Sequence, residues 1–177
     1  DRAELLAELL ARDAQGVIFA GIADRAATAA AYEAGEGSTI DVTIGGSLDP
    51  SSRKVSVRAA VEFLLKVDDP YLREAVLHIG GVDLVVTARR RPFHNLTDFH
   101  RLGLDPAAAR IVAVKSGYLS PELAPLANPS LMALSPGVVD QFVERLPRLH
   151  KAVPTYPFDK QFVWSPKAIP SERARRS

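Results

Sequence analysis

The run Gly16-Val-Ile-Phe-Ala-Gly-Ile-Ala-Asp24, followed at once by the alanine-rich stretch from Ala26 to Ala34, constrains this chain more than any other feature. Between its opening glycine and closing aspartate the first segment offers no polar face, so it reads as a short buried strand ending in a Gly/Asp loop. The second reads as a helix stopped by Gly35. Together they form a strand, loop, helix unit. A buried strand handed directly to a helix points to an α/β fold in which helices cover a sheet.

The remaining segments extend that reading. Leu5, Leu6, Leu9 and Leu10 lie on one face of a helix opening at Asp1, with Glu4 three places after this capping-type residue. A chain that opens at a helix cap without an initiating Met is expected to continue upstream. Residues 39–44, 54–67, 75–79 and 82–88 are β-branched and apolar, with Gly45-Gly46 and Gly80-Gly81 as turn signals and the second pair predicting a hairpin. A short helix is predicted over 96–102, a turn at Gly103-Leu-Asp-Pro106 and a buried strand over 109–114. A further helix is predicted over 121–127, capped by Ser120 with Pro121 in its first turn. The expected fold class is α/β, a single domain with a mixed sheet flanked by helices and a Pro-rich C-terminal arm. Phe158, Phe162 and Trp164 recur among its prolines and are expected to bury area. The domain is expected to span 1–159, with 160–177 an extended or disordered basic tail.

Composition enters as a set of exclusions. With 22 Lys+Arg against 21 Asp+Glu, the net charge of +1 supplies no global field for nucleic acid or an anionic membrane, so neither is an expected partner. No apolar run approaches the roughly 20 residues of a membrane span, because Asp24 and Arg25 interrupt the longest one. The absence of cysteine excludes thiolate metal sites and disulfides and fits a reducing compartment, so a cytoplasmic location is expected.

Several segments in order resemble the C-terminal domain of the microcystinase C family. They are the capped Leu-rich helix at Asp1, Gly21-Ile-Ala-Asp24, Gly45-Gly46, Gly103-Leu-Asp-Pro106 and Ile111-Val-Ala-Val-Lys-Ser116. Pro121-Glu-Leu-Ala-Pro-Leu-Ala127, Leu131-Met-Ala-Leu-Ser-Pro-Gly137 and Leu146-Pro147 follow. Collinearity carries the resemblance, from Asp1 to about Asp159. It implies a two-part zinc metallopeptidase or amidohydrolase: Asp and His ligands in an N-terminal metal-binding domain of the same protein hold the zinc, and this domain completes a site for a peptide or amide substrate. Zinc is thus implied for the longer protein and not for this chain. Relatives place a His-Phe pair after the Lys-Ser step, where this sequence has Gly117-Tyr118-Leu119.

The residues themselves give a site at strand ends. Lys115 and Ser116 follow a buried strand, and open α/β sheets present ligand-binding groups at the carboxyl ends of strands. Asp24 stands in the same kind of position, although its type is also that of a helix N-cap. Arg89-Arg90-Arg91 has the chemistry to grip a carboxylate, with Arg89 the first of the run, while a solvated strand end is the plainer account. His94, Asp98 and His100 form a cluster with ligand-type side chains, but offsets of four and six do not share a helix face, and no His-Glu-x-x-His is present. Lys115, Ser116, His94, Arg89 and Asp24 are therefore the candidate substrate-binding residues, with no metal ligand expected in this chain. A non-catalytic domain that binds a small ligand or a partner is the competing reading. The surface around Asp1, Asp24 and Lys115 is expected to face another domain.

Overall fold

A computed structural model describes residues 3–46, 53–134, 142, 150, 153–156, 158–163, 165–169 and 171. The chain divides into two units, Asp1–Val138 and Val139–Ser177. Among the described residues the α-helices and strands all fall in the first: α1 (Ala3–Ala11), β1 (Val17–Ala23), α2 (Arg25–Ala34), β2 (Thr39–Ile44), β3 (Val55–Leu64), β4 (Glu74–Ile79), β5 (Val82–Thr87), α3 (Leu96–His100) and β6 (Ile111–Val114).

β1 is buried along nearly its whole length, as its uniformly apolar sequence requires. It is hydrogen-bonded on both sides, parallel to β5 (Val17 opposite Val82) and parallel to β6 (Val17 opposite Ile111). The remaining pairs are antiparallel, giving one mixed sheet in the order β2-β3-β4-β5-β1-β6. Alternate side chains of β1 serve two separate cores. Val17 and Phe19 join Leu6 of α1 with Ala27 and Ala31 of α2 on one face. Ile18 and Ala20 join Phe93, Phe99, Leu102 and Leu104 on the other. Each fully buried Leu or Phe contributes about 2 kcal/mol through area removed from water, so the strand is held by its coverage on both faces.

The helices begin and end where their sequence dictates. The Asp24 carboxylate accepts the Ala27 N–H at 3.0 Å and caps α2, and the Gly35 N–H closes the other end on Ala31 C=O at 3.0 Å. α3 stops in a Schellman pattern, with the Gly103 N–H on His100 C=O (3.0 Å), the Leu104 N–H on Phe99 C=O (3.2 Å) and Gly103 at φ +73°. In α1 the deepest line is Ala3, Leu6 and Ala7, with Leu5, Leu9 and Leu10 packed partly beneath it, so the small residues and not the leucines alone meet the sheet. The strand expected over 54–67 ends at Leu64, and Gly80-Gly81 makes the hairpin between β4 and β5 as expected.

The helix expected over 121–127 is instead a run of turns closing in a 3-10 turn at Ala124–Leu126. Pro125 explains the difference, since it has no N–H to donate at the fifth position and its ring would strike the preceding turn. In the second unit the Asp159 carboxylate accepts the Thr155 N–H at 2.8 Å across a turn in which Phe158 and Asp159 donate to Thr155 C=O. Asp1, Trp164 and residues 172–177 lie outside the described residues, as do the cap, part of the aromatic arm and the end of the basic tail assigned to them. No helix among the described residues is long and apolar enough to cross a membrane.

A tight backbone approach lies after β2. Gly45 has φ +95°, and a Cβ there would stand 2.8 Å from Arg53 C=O and 2.7 Å from Ala3 Cβ. Its N–H is held by the second oxygen of Asp24 at 3.1 Å. Gly45→Ala is therefore expected to destabilise the protein by about 2 kcal/mol or more, through left-handed strain and backbone collision. Urea unfolding of the variant against wild type, compared at equal m-value, checks it.

Candidate functional site

Because β1, β5 and β6 run parallel, their carboxyl ends fall on one edge of the sheet, and the antiparallel β4 begins there. Asp24 follows β1, Arg89 lies two residues past β5, and Lys115 and Ser116 follow β6. Four of the five residues singled out in the sequence are thus brought to the same edge. His94, the fifth, sits on the segment leading from β5 into α3.

Their local partners differ. Asp24 is 3% exposed with both carboxylate oxygens engaged, by the Ala27 and Gly45 amides, so it braces the edge by joining α2 to the turn after β2. The Ser116 hydroxyl donates to Tyr118 C=O and folds the chain back after β6. Lys115 is half-buried beside it and makes an interaction of its own. Arg89 is half-buried, and its C=O accepts the Thr87 hydroxyl at 2.8 Å. The His94 ring lies 6.1 Å from the Tyr118 ring at 37°, while its C=O accepts the Ser120 hydroxyl at 2.6 Å. Ser120, expected as a helix cap, instead ties the chain after β6 to the segment before α3.

The chemistry least visible in the sequence lies just behind this edge. Glu74, the first residue of β4, is 3% exposed, and its Oε1 stands 2.6 Å from Arg91 Nε and 2.5 Å from Arg101 Nη2. Arg91 Nη1 reaches Asp98 at 2.9 Å, and its guanidinium lies over the Phe93 ring at 4.0 Å from the centroid. Two carboxylates and two guanidiniums alternate, so charge is balanced around the buried Glu74 and Arg91, with Arg101 reaching in from the surface. Of the arginine run, Arg91 is the interior strut and Arg90 the exposed member.

Asp98 also accepts the amides of His94 at 3.0 Å and Asn95 at 2.9 Å. Burial pushes its carboxyl up, but the Asn95 amide, the Arg91 guanidinium and the His94 amide outweigh that and hold it below the usual value of 3.8. His94, Asp98 and His100 consequently do not converge: Asp98 is turned to Arg91, and His100 is exposed. Among the described residues no three His, Asp or Glu side chains are placed to hold a metal ion, so this set does not fit a catalytic zinc with its three protein ligands.

The network was signalled only by an acidic residue heading an apolar strand. Its partners stand far along the chain, and no short-range pattern could have paired them.

Two outcomes follow from the network. Arg91→Met, which leaves Glu74 buried beside a single cation, is expected to cost about 3–5 kcal/mol in chemical denaturation. For Asp98 the folded value is depressed, so its contribution to stability is complete above 3.8 and is lost as pH falls through the lowered folded value. Acid unfolding of Asp98→Asn should lack that segment of the pH profile, and an unchanged acid limb in both variants would contradict the arrangement.

A family model described as MlrC C-terminus matches residues 1–150. The crystal structure of a protein from Mesorhizobium sp. BNC1, named "Putative metallopeptidase", is similar to this chain with a TM-score of 0.72 at 21% sequence identity, over 91% of this chain. The match covers 35% of that longer chain, so the similarity concerns about a third of its length. At that identity the likeness establishes the shared fold. No curated protein sequence matches.

Proposed function

The chain belongs to the MlrC C-terminal family, and from that premise we propose that it is the C-terminal domain of a zinc-dependent peptidase or amidohydrolase. The metal sits in an N-terminal domain of the longer protein, and this domain completes the cleft. The observation that carries the reading is the gathering of Asp24, Arg89, Lys115 and Ser116 at the carboxyl edge of the parallel strands, where α/β sheets bind their ligands.

Each group takes a role suited to its surroundings. Lys115 and Arg89 are the cations that orient a peptide or amide carbonyl and stabilise negative charge developing on its oxygen. His94 and Ser116 line the approach, and Asp24 holds the frame through its two backbone amides. Zinc, when bound by the other domain, would polarise the carbonyl and activate water. The cytoplasmic setting suggested by a cysteine-free sequence belongs to the same proposal.

Zinc by elemental analysis and cleavage of short peptides should be measured on this chain, on the full-length protein and on its Lys115→Ala variant. This chain alone should carry no stoichiometric zinc and show no turnover, and the full-length protein should show both. Lys115→Ala should lower kcat/KM about a hundredfold, near 3 kcal/mol, with zinc content intact. Stoichiometric zinc in this chain alone would refute the division of labour. A metal-free, inactive full-length protein would favour the reading as a non-catalytic binding domain.

A further inference from the structure

The two edges of the sheet are built in opposite styles. β2, the outer strand at one end, alternates strictly, presenting Thr39, Asp41 and Thr43 to water, and a Thr43–Ser56 hydroxyl pair crosses to β3 at 2.9 Å. Its charge and alternation are the usual protection of a free edge. β6, at the other end, reads Ile-Val-Ala-Val, without a polar residue or an alternation, the composition of a parallel strand covered on every side. Yet Ile111 is 43% exposed, the other three are only half-buried, and among the described residues β6 pairs with β1 alone.

Apolar exposure is concentrated in the same part of the chain. Among the described residues of 3–134 the exposed large hydrophobics are, apart from Tyr71 and Leu72, all from β6 onward: Ile111, Tyr118, Leu126, Leu131, Met132 and Leu134. A folded monomer rarely leaves so many apolar side chains in one stretch to water.

The backbone of β6 is available for pairing. The Ile111 N–H bonds Gly16 C=O at 3.2 Å, so in a parallel ladder Ile111 and Ala113 address β1. The N–H and C=O of Val112 and the N–H of Val114 then point away from β1.

We propose that the outer edge of β6 is completed by a strand from the N-terminal part of the same protein, with the exposed side chains of 118–134 packed beneath the arriving segment. The occupant is argued from two facts. The family is a C-terminal one, and the similar crystal structure continues over a length of which this fold is 35%. β6 also ends at the edge that carries Lys115 and Ser116, so a domain contributing to that site passes alongside it. Strand addition uses main-chain bonds for affinity and side-chain contacts for register. It would fix the incoming domain one strand spacing, about 4.8 Å, from β6, on the side of the sheet where Lys115 and Ser116 follow that strand. The inference rests on the reading that an N-terminal domain completes the site, but concerns where it attaches.

Amide hydrogen exchange resolved to single residues tests it, on this chain and on the full-length protein. Val112 and Val114 should exchange at least about tenfold more slowly in the full-length protein, with Ile40 and Val42 of the opposite edge unchanged. Val112→Pro removes an N–H that points away from β1 and so breaks no ladder bond of this chain, although it trims the Val112 contact with the second core; the melting temperature of this chain should therefore fall only modestly. In the full-length protein it should abolish the protection at Val114. Equal exchange in the two proteins would overturn the attachment, even if the full-length protein holds zinc and cleaves peptides. Protection in a metal-free, inactive protein would uphold the attachment and sink the catalytic reading. Protection already present in this chain, rising with concentration alongside a dimer in sedimentation, would mean a second copy is the occupant and would overturn the proposal.

Discussion

Everything in the first unit depends on β1 being hydrogen-bonded in parallel on both sides. A strand without a polar face is costly to leave open to water, and once β5 and β6 flank β1 both of its faces still need cover. α1 and α2 supply one layer, and α3 with the segment around Phe93 and Leu102 the other. The same register lines up the carboxyl ends of three strands. Placement of Asp24, Arg89 and Lys115 along one edge is therefore a by-product of burying Val17, Phe19 and Ile22.

Much of this was legible in the sequence because it is written in short-range patterns. The uniform apolarity of 17–23, the Asp24 cap and the Gly80-Gly81 turn each act within a few residues, and each appears where expected. Strand ends marked the candidate edge for the same reason. The departures have one local cause and one long-range cause. Pro125 defeats the helix suggested by Ser120 and Pro121, because a good start does not survive a missing donor one turn later. Glu74 lies just ahead of the strand expected over 75–79 and drew no reading of its own, whereas it joins Arg91 and Arg101 across the fold. Nothing in periodicity pairs such residues.

The electrostatics separate into two zones with different tasks. Behind the edge, Glu74, Arg91, Arg101 and Asp98 neutralise one another and fix the path from β5 into α3. A buried network of this kind contributes less to net stability than to the uniqueness of one arrangement, since apolar packing would often hold as well. At the edge itself Asp24 is occupied by two amides. In the proposed site the charged candidates, Arg89 and Lys115, are basic, which would suit a carbonyl oxygen gaining charge opposite a metal held elsewhere.

The hairpins and the central strand differ in how far along the chain their partners lie. β2 with β3 and β4 with β5 join segments that follow one another closely, whereas β1 must wait for β5 and then for β6, each after a long intervening stretch. Closing a long loop costs more chain entropy before any contact repays it, so the meander from Thr39 to Thr87 has a kinetic advantage over the parallel pairings. On a ribosome the order is the same, because β6 emerges last of all the strands. The edge that carries the candidate site is then the final part of the sheet to close.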